Sequence, residues 1–395
     1  MTRPPSRRLV LGAAAVPAAL GLIGATAGPA AATTTRRPVV RPPETDRDRA
    51  LRAAISDLST PHATCAQLTV DDGAGGDSWY GSAGYAHPAA GRPPHPGDAL
   101  RVGSVTKVFI AAVVLQEWAA GRIDLDGPIG RHLPAGLLPD TFGRITAGQL
   151  LDHTSGIPPH VGLPDESTPE AVWRHRMDRW TPEELLATVT HRAPSGTGRV
   201  QEYRGVNYLL LSLLIEELTG QTYAEAVATR IARPLGLRRT CVPGAEPRLR
   251  GPHIRGFLRM TDDSLRDITV QRVESSRGDG DIVSSHADLL RFHTALFSGE
   301  LLPPHAADQL YRVPSVPMTD GSPARYGRGF QRVPVNGVDL WGKTGEQHGY
   351  RTRIFATRDL RTRMVLTYHP TRRSDSAQMA QRVAAVLLGK PGSGR

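Results

Sequence analysis

Period-two alternation of apolar and polar residues occurs near both ends of this chain, whereas its middle is helical. Residues 64–70 and 78–86 alternate before the helical stretch, and residues 338–343, 350–356 and 363–368 alternate after it. Successive side chains of a strand point to opposite faces, so each segment predicts a strand. We therefore predict an α+β (α/β) fold whose single antiparallel sheet is built from both chain ends and flanked by helices.

Helical patterns flank these strands and fill the middle of the chain. Residues 46–58 and 374–388 are amphipathic and predict helices that cover the sheet. Further helices are predicted at 105–120, 146–153, 208–218 and 284–298, with another opening at Thr181, whereas residues 157–180 predict an irregular excursion.

The strand-rich and helical stretches predict one domain over residues 46–391. Its sheet region comprises residues 46–103 and 326–391, and residues 104–325 form an inserted, mostly helical region. Pockets commonly occur between such regions, so we expect the functional site in the crevice between them.

The N-terminal segment predicts export. Arg7 and Arg8 precede a weakly apolar run rich in Ala and Gly, which is typical of a twin-arginine signal, and small residues near Ala32 suit cleavage. We therefore predict a signal peptide at 1–32, a disordered Pro- and Arg-rich linker at 33–45 and a short tail at 392–395. The mature protein would be secreted, with no permanent membrane anchor.

Charge and composition limit the kinds of partner and cofactor that this chain is expected to bind. The net charge is +10, or +7 without residues 1–32, and this favours attraction of an exported protein to anionic cell-wall polymers. The arginines are scattered and no aromatic-basic motif is present, which argues against nucleic acid. The histidines are dispersed, and metal-binding spacings are absent from the sequence, so we predict neither metal nor cofactor. Cys65 and Cys241 could pair in an exported chain, and the sequence leaves this open.

Lysine occurs at only three positions among 48 basic residues, and two of these lie in short motifs. Lys107 follows Ser104 by three residues, at the start of the helix predicted over 105–120. Arginine stays protonated, whereas a partly buried lysine can act as a base. A helix N-terminus also favours developing negative charge. The pair suits a nucleophile and its base, although one Ser-x-x-Lys match alone could arise by chance.

Four motifs in order resemble the serine β-lactamase and penicillin-binding protein superfamily. They are Ser104-Val105-Thr106-Lys107, the stretch from Leu150 to Gly156, Tyr203 before a helix, and Lys343-Thr344-Gly345. The resemblance spans residues 63–391 and is closest to secreted actinobacterial D-alanyl-D-alanine carboxypeptidases and class C β-lactamases. It implies a β-lactamase/transpeptidase-like fold, a monomer, and an acyl-enzyme mechanism.

The resemblance also assigns roles to individual residues. Ser104 would be the nucleophile, Lys107 its base, and Tyr203 the group that passes a proton to the leaving group. Lys343, Thr344, Gly345 and Glu346 would bind substrate. The backbone N–H groups of Ser104 and Glu346 would form the oxyanion hole.

Two positions depart from the family's pattern. Gly205 stands where the Tyr-x-Asn motif has its amide side chain, and Asn207 should not be assigned that missing role. Glu346 replaces a usual Ser or Thr, on the same strand face as Thr344. An acid there would repel a substrate carboxylate unless an arginine, such as Arg351 or Arg353, neutralises it.

Other motif residues are assigned to structure rather than chemistry. His153 is expected to hydrogen-bond loop backbone. Trp173 and Trp180 fit equally well a place at the rim of the site or in the packing of the helical region.

The sequence therefore predicts an exported serine hydrolase acting on a small peptide, ester or β-lactam. A D-alanyl-D-alanine carboxypeptidase is favoured. An esterase, a D-amino-acid amidase or a β-lactamase would use the same nucleophile, and Gly205 and Glu346 favour these relative to an unaltered family member. A non-catalytic wall-binding or β-lactam-sensing protein remains a third class.

Overall fold

Both ends of the chain contribute strands to one sheet in the computed structural model, which describes residues 44–71, 78–372 and 377–389. The strands are β1 (Ala63–Asp71), β2 (Trp79–Gly84), β3 (Ala99–Arg101), β4 (Phe257–Arg259), β5 (Leu265–Asp267), β6 (Val283–Ser285), β7 (Gln331–Val335), β8 (Val338–Gln347), β9 (Tyr350–Ala356) and β10 (Arg363–Pro370). The predicted signal peptide, most of the predicted linker and the predicted tail lie outside the described residues.

Helices occupy the flanks and the middle of the chain. They are α1 (Asp46–Ser56), α2 (Thr106–Ala119), α3 (Asp140–Gly143), α4 (Ala147–Leu151), α5 (Pro169–His175), α6 (Pro182–Ala187), α7 (Val206–Thr219), α8 (Tyr223–Val227), α9 (His286–Phe297), α10 (Pro304–Ala307) and α11 (Gln378–Leu388). Within the described residues, no helix is long and apolar enough to span a membrane.

The main sheet confirms the predicted fold class. Its six strands run in the order β2-β1-β10-β9-β8-β7, and each neighbouring pair is antiparallel. The pairing of β1 with β10 places Leu68 opposite Leu366 and so joins the two chain ends. Strand β7 was not predicted, because Pro334 interrupts its pattern; proline is tolerated there since β7 is an edge strand.

Apolar side chains on the two faces of the sheet pack against different layers of helices. On one face, Leu68 and Phe355 pack with Leu51 of α1 and Met379 of α11. On the opposite face, Ile354 of β9 packs with the helical region. Burying such a side chain contributes about 1.5–3 kcal/mol relative to leaving it exposed, so both helical layers are held by the sheet.

Helix α2 lies at the centre of the helical region. It is apolar around its whole circumference, and its residues from Thr106 to Leu115 are buried, which is typical of a helix packed on all sides. Because the helix is packed along its length, the position of its first turn is fixed. Since Ser104 lies just before this point, the core positions the predicted nucleophile.

Several local features differ from the sequence prediction, among them the unpredicted short helices α3, α8 and α10. Helix α5 lies within the stretch predicted to be irregular, because Thr168 caps it and Pro169 suits its first turn. Two further antiparallel pairs of short strands, β3 with β6 and β4 with β5, lie outside the main sheet. Thr45, assigned to the linker, is the N-cap of α1 and takes part in a capping box with Asp48.

The two cysteines are free thiols. Cys65 is buried in the main core, and burial raises the pKa of its thiol. Cys241 is exposed. The possible disulfide left open by the sequence is therefore not formed in this structure.

Candidate active site

Ser104 lies in a single 3-10 turn, Gly103–Val105, that leads directly into α2. The Lys107 side-chain nitrogen lies 3.2 Å from the Ser104 hydroxyl oxygen, because the two residues are one helical turn apart. Lys107 is only 1% exposed, whereas Ser104 is half-buried and reachable from the cleft. The predicted nucleophile and base are thus in contact.

Oxygen atoms and aromatic rings surround the buried Lys107 amine. Its nitrogen donates to the backbone carbonyl of Asp279 at 2.8 Å and lies 3.9 Å from the Asp279 carboxylate. It also lies 5.0 Å from the ring centre of Tyr203 and 5.4 Å from that of Tyr208. A buried amine requires such partners, because an unpaired buried charge is costly.

Tyr203 lies between two lysines. Its ring centre is 4.9 Å from the Lys343 nitrogen, in addition to its contact with Lys107. Burial alone would raise the pKa of Tyr203, but the charges of Lys107 and Lys343 and the Ser104 hydroxyl outweigh it, so the pKa falls below 10. Its hydroxyl is buried, and the Ser104 hydroxyl and the Lys107 amine lie close enough to it to lower its pKa. Tyr203 is therefore positioned to exchange a proton with either group.

Strand β8 brings Lys343 to the cleft. Pairing with β7 ends at Gly342, and in the described part of the chain no strand covers the following residues on the side away from β9. Lys343 is 4% exposed and donates to the carbonyl of Thr344 at 3.0 Å. Burial and the charge of Lys107 lower the pKa of Lys343, although Tyr203 opposes this.

Two glycines let the turn before Ser104 approach β8 at backbone distance. A Cβ on Gly103, whose φ is +55°, would lie 2.4 Å from the backbone nitrogen of Glu346. A Cβ on Gly345 would lie 1.9 Å from the carbonyl oxygen of Val102. Side chains at either position would force the segments apart. Their close approach brings the backbone of Ser104 near that of Glu346, as an oxyanion hole requires.

Thr344 and Glu346 project from the other face of β8. The Thr344 hydroxyl donates to the Gln331 side chain at 3.3 Å. Glu346 is half exposed, and its carboxylate pairs with Arg351 at 3.5 Å and Arg353 at 3.3 Å. Both arginines named from the sequence thus neutralise Glu346. The structure brings Ser104, Lys107, Tyr203 and Lys343 together, whereas the side chains of Thr344 and Glu346 lie on the opposite face of β8.

A carboxylate fills the space beside Gly205. An ideal Cβ on Gly205 would lie 1.8 Å from the Asp279 carboxylate oxygen. Burial raises the pKa of Asp279, although the charges of Lys107, His160 and Lys343 oppose the rise. Sequence reasoning missed Asp279, which belongs to no motif; the unexpected glycine was the only signal.

The loop that carries His153 supports Tyr203. The His153 ring lies 4.4 Å from the Tyr203 ring, and its Nδ1 accepts from the backbone N–H of Arg204 at 3.2 Å. Burial and two nearby lysines hold the pKa of His153 well below 6.5, so it is neutral. Asn207 is fully buried and accepts from the Ser155 hydroxyl at 2.7 Å. These contacts are structural, as predicted for this loop.

The two tryptophans take part in packing. Trp173 packs against a small cluster that includes Leu258 and Ile268, and the Arg176 guanidinium lies 3.7 Å from its ring centre. Trp180 packs against the main core. No group of side chains suited to a metal occurs within the described residues.

Comparison with known proteins identifies the family. The beta-lactamase family profile matches residues 64–388. Penicillin-binding protein 4* of Bacillus subtilis is 25% identical over 80% of this chain and 71% of its own length. A D-aminopeptidase of Cereibacter sphaeroides is 27% identical over 78% of this chain, which spans only 56% of that protein.

A solved structure matches over its full length. The D-stereospecific amidohydrolase from Streptomyces sp. is 31% identical, with a TM-score of 0.73 over 88% of this chain and 100% of that one. The sheet, the Ser104–Lys107 pair and these relatives agree, and the chain therefore belongs to the beta-lactamase family of serine hydrolases.

Proposed function

We propose that this protein hydrolyses amide or ester bonds on the carbonyl side of a D-amino acid residue, through an acyl-enzyme on Ser104. The observation that carries the proposal is the 3.2 Å contact between Ser104 and the buried Lys107, beside a tyrosine held between two lysines. The D-stereospecific amidohydrolase and D-aminopeptidase relatives support the substrate class.

The geometry supports a two-step mechanism. The Ser104 hydroxyl attacks the carbonyl carbon as its proton passes to Lys107. The oxygen of the tetrahedral intermediate would be held by the backbone N–H groups of Ser104 and Glu346. Tyr203 would carry the proton to the leaving amine or alcohol, and Lys343 would stabilise its phenolate form. Water then attacks the acyl-enzyme with the same groups acting in reverse.

Recognition features favour an amidohydrolase over a carboxypeptidase. A carboxypeptidase must bind the free carboxylate of its substrate, and Glu346 adds a half-exposed negative charge to the strand that carries Lys343. The Thr344 hydroxyl, expected to contact that carboxylate, is engaged with Gln331. Both features weaken affinity for a C-terminal carboxylate.

A D-alanyl-D-alanine carboxypeptidase is the second candidate. It is favoured by Arg351 and Arg353, which together carry one positive charge more than the Glu346 they neutralise. The likeness to penicillin-binding protein 4* also supports it.

Parallel assays separate these candidates. D-phenylalanine amide, L-phenylalanine amide and an N-acylated D-alanyl-D-alanine peptide would be incubated with the protein and with Ser104→Ala, and products followed by chromatography. We expect Ser104-dependent release of D-phenylalanine and little action on the L-isomer. Preferential release of D-alanine from the peptide would instead establish the carboxypeptidase. If neither D-phenylalanine amide nor the D-alanyl-D-alanine peptide is cleaved, the proposed function is wrong.

We also propose that the protein acts outside the cytoplasm, because Arg7 and Arg8 precede an apolar, alanine-rich run. Its net charge, about +7 once the three arginines of residues 1–32 are removed, would retain it near anionic wall polymers. Residues 1–45 fused to a folded reporter should be exported through the twin-arginine route. Arg7→Lys/Arg8→Lys should retain the reporter in the cytoplasm, and unchanged export would contradict the proposal.

A further inference from the structure

Backbone conformation does not explain the glycine at position 205. Gly205 has φ −64° and ψ −41°, which is ordinary right-handed helical geometry that any residue adopts. Gly205 is the N-cap residue of α7, where glycine is tolerated but Ser, Asp and Asn are preferred because their side chains cap the helix. A reason for it must therefore lie in the space around its Cα.

That space is occupied by the Asp279 carboxylate. The 1.8 Å approach of its oxygen to an ideal Cβ excludes any side chain at position 205 while Asp279 keeps its place. The contact is to the end of a short side chain that also faces Lys107. The lost amide and the acquired carboxylate are thus one coupled change in the same volume, with a negatively charged acceptor in place of a neutral amide.

The Asp279 carboxylate has capacity to bind a ligand. Its side chain is 27% exposed, and among the described residues no hydrogen-bond donor reaches its oxygens. The nearest cation, Lys107, is 3.9 Å away and already donates to the Asp279 backbone carbonyl. A carboxylate can accept several hydrogen bonds, and charged donors satisfy it best.

The carboxylate also lies within reach of a substrate bound at Ser104. Lys107 is 3.2 Å from the Ser104 oxygen and 3.9 Å from the carboxylate oxygen, so those oxygens are no more than 7.1 Å apart. The α-nitrogen of an amino acid is two bonds from the carbonyl carbon, about 2.5 Å by standard bond lengths. A substrate α-ammonium can therefore lie between the nucleophile and Asp279.

From this arrangement we infer that Asp279 is a specificity-determining residue that binds the α-ammonium group of the acyl-side residue. The inference rests on the proposed function and deepens it: the preferred substrates are D-amino acid amides and esters with a free amine, rather than N-acylated peptides. An acylated nitrogen has no positive charge to pair with the carboxylate, and its acyl oxygen would be repelled.

The test uses matched methyl esters of D-phenylalanine with a free or an acetylated amine. We expect the wild-type protein to favour the free amine in kcat/KM by at least about tenfold, as one charge-assisted contact would give. Asp279→Asn keeps the shape and removes the charge, and it should reduce this preference at least about tenfold. Asp359→Asn, in an exposed turn that contains Thr357, is the matched control and should keep the preference.

A second set of variants tests the coupling of the two positions. Gly205→Asn alone should lose activity on both esters, because its side chain overlaps Asp279. Gly205→Asn/Asp279→Gly removes the overlap and should regain Ser104-dependent activity with the preference reversed towards the acetylated ester. Circular dichroism checks that each variant is folded. If Asp279→Asn does not fold, the substrate preference of the double variant tests whether Asp279 selects the free amine.

The outcomes separate the two levels of the argument. If the wild type cleaves both esters through Ser104 without favouring the free amine, or Asp279→Asn keeps the preference, the role of Asp279 is wrong and the proposed function stands. If neither ester is cleaved in a Ser104-dependent way, the proposed function fails and the inference falls with it.

Discussion

Two groups of residues around the cleft follow the family's pattern unequally. The residues of the first, which we call the reaction side, are Ser104, Lys107, Tyr203 and Lys343. The residues of the second, which we call the recognition side, are Gly205, Asp279 and Glu346. The reaction side retains each expected group within contact distance of its partner. The recognition side has lost a neutral amide and holds two carboxylates.

The difference teaches that, in this fold, the residues that carry out the reaction can be kept while the residues that select the substrate change. The reaction side is fixed by elements buried in the core: α2 begins beside Ser104, and β8 carries Lys343. The recognition side depends on a loop residue, Asp279, and an exposed strand residue, Glu346, which can change without disturbing that core. The predictions below test this separation, from the largest expected effect on activity to the smallest.

Removal of the nucleophile should have the largest effect. Ser104→Ala is expected to lower kcat by about 10⁴–10⁶-fold, because no other group can form the acyl-enzyme. Steady-state assays with a D-amino acid ester measure the loss. Ser322→Ala, in an exposed turn, is the control and should retain full activity. Substantial activity in Ser104→Ala would contradict the role of Ser104 as the nucleophile.

Replacing the base while keeping its charge should be nearly as damaging. Lys107→Arg is expected to lower kcat by about 10²–10⁴-fold, since a guanidinium does not give up its proton. Lys343→Arg is the informative partner, because Lys343 acts through its charge and should lose less. Equal losses in the two variants would contradict the different roles assigned to them.

Tyr203→Phe should lower kcat/KM by about 10²–10⁴-fold and change its pH dependence. The pKa of Tyr203 is lowered from 10 by two lysines, and the phenolate is the form that accepts a proton. Activity should therefore rise with pH through an apparent pKa below 10, which belongs to the coupled Tyr203–lysine group. This rise should disappear in Tyr203→Phe. A rise that persists in the variant would assign it to another residue.

On the recognition side, Glu346→Thr should alter substrate choice more than rate. We expect kcat/KM for a D-amino acid ester to change by less than about tenfold, because Glu346 is half exposed and its ion pairs are solvent-screened. Cleavage of an N-acylated D-alanyl-D-alanine peptide should increase, since two arginines then face its carboxylate. A loss on the ester comparable to that of Tyr203→Phe would move Glu346 to the reaction side.

Asp281→Asn should leave activity nearly unchanged and alter stability instead. Asp281 is 6% exposed and accepts from the Tyr223 hydroxyl at 2.9 Å, and burial raises its pKa to about 7. The folded protein therefore keeps a proton that the unfolded chain releases above about pH 4. This contribution to the free energy of unfolding is complete below pH 4 and is lost as pH rises through 7, by at most about 1.4 kcal/mol per pH unit.

Thermal unfolding at pH 5 and pH 8 checks this expectation. The wild type should lose more stability between the two pH values than Asp281→Asn, which carries no titrating proton. An equal loss in both proteins would show that Asp281 does not hold its proton in the folded state.

Much of the fold follows from local sequence pattern. Strand β9 has the predicted bounds, Tyr350–Ala356, and α2 differs from its prediction by one residue at each end. Features set by distant contacts were not predictable. Strand β7 contains Pro334 and is defined by its pairing with β8, so its own pattern is weak.

The candidate site divides in the same way. Ser104, Lys107 and Lys343 carry motif signals, because their chemistry requires fixed spacing or a fixed strand position. Asp279 is brought to Gly205 only by the folding of a distant loop, and no spacing encodes that meeting. The sequence could show that an amide was missing but not which group had taken its place.

The central claim, that substrate becomes covalently attached to Ser104, is tested most directly by rapid acid quenching of the protein mixed with D-phenylalanine methyl ester, followed by intact-mass measurement and peptide mapping. The account predicts a transient increase equal to one D-phenylalanyl group on the peptide that contains Ser104, and none in Ser104→Ala. Turnover without this adduct, or an adduct that persists in Ser104→Ala, would contradict it.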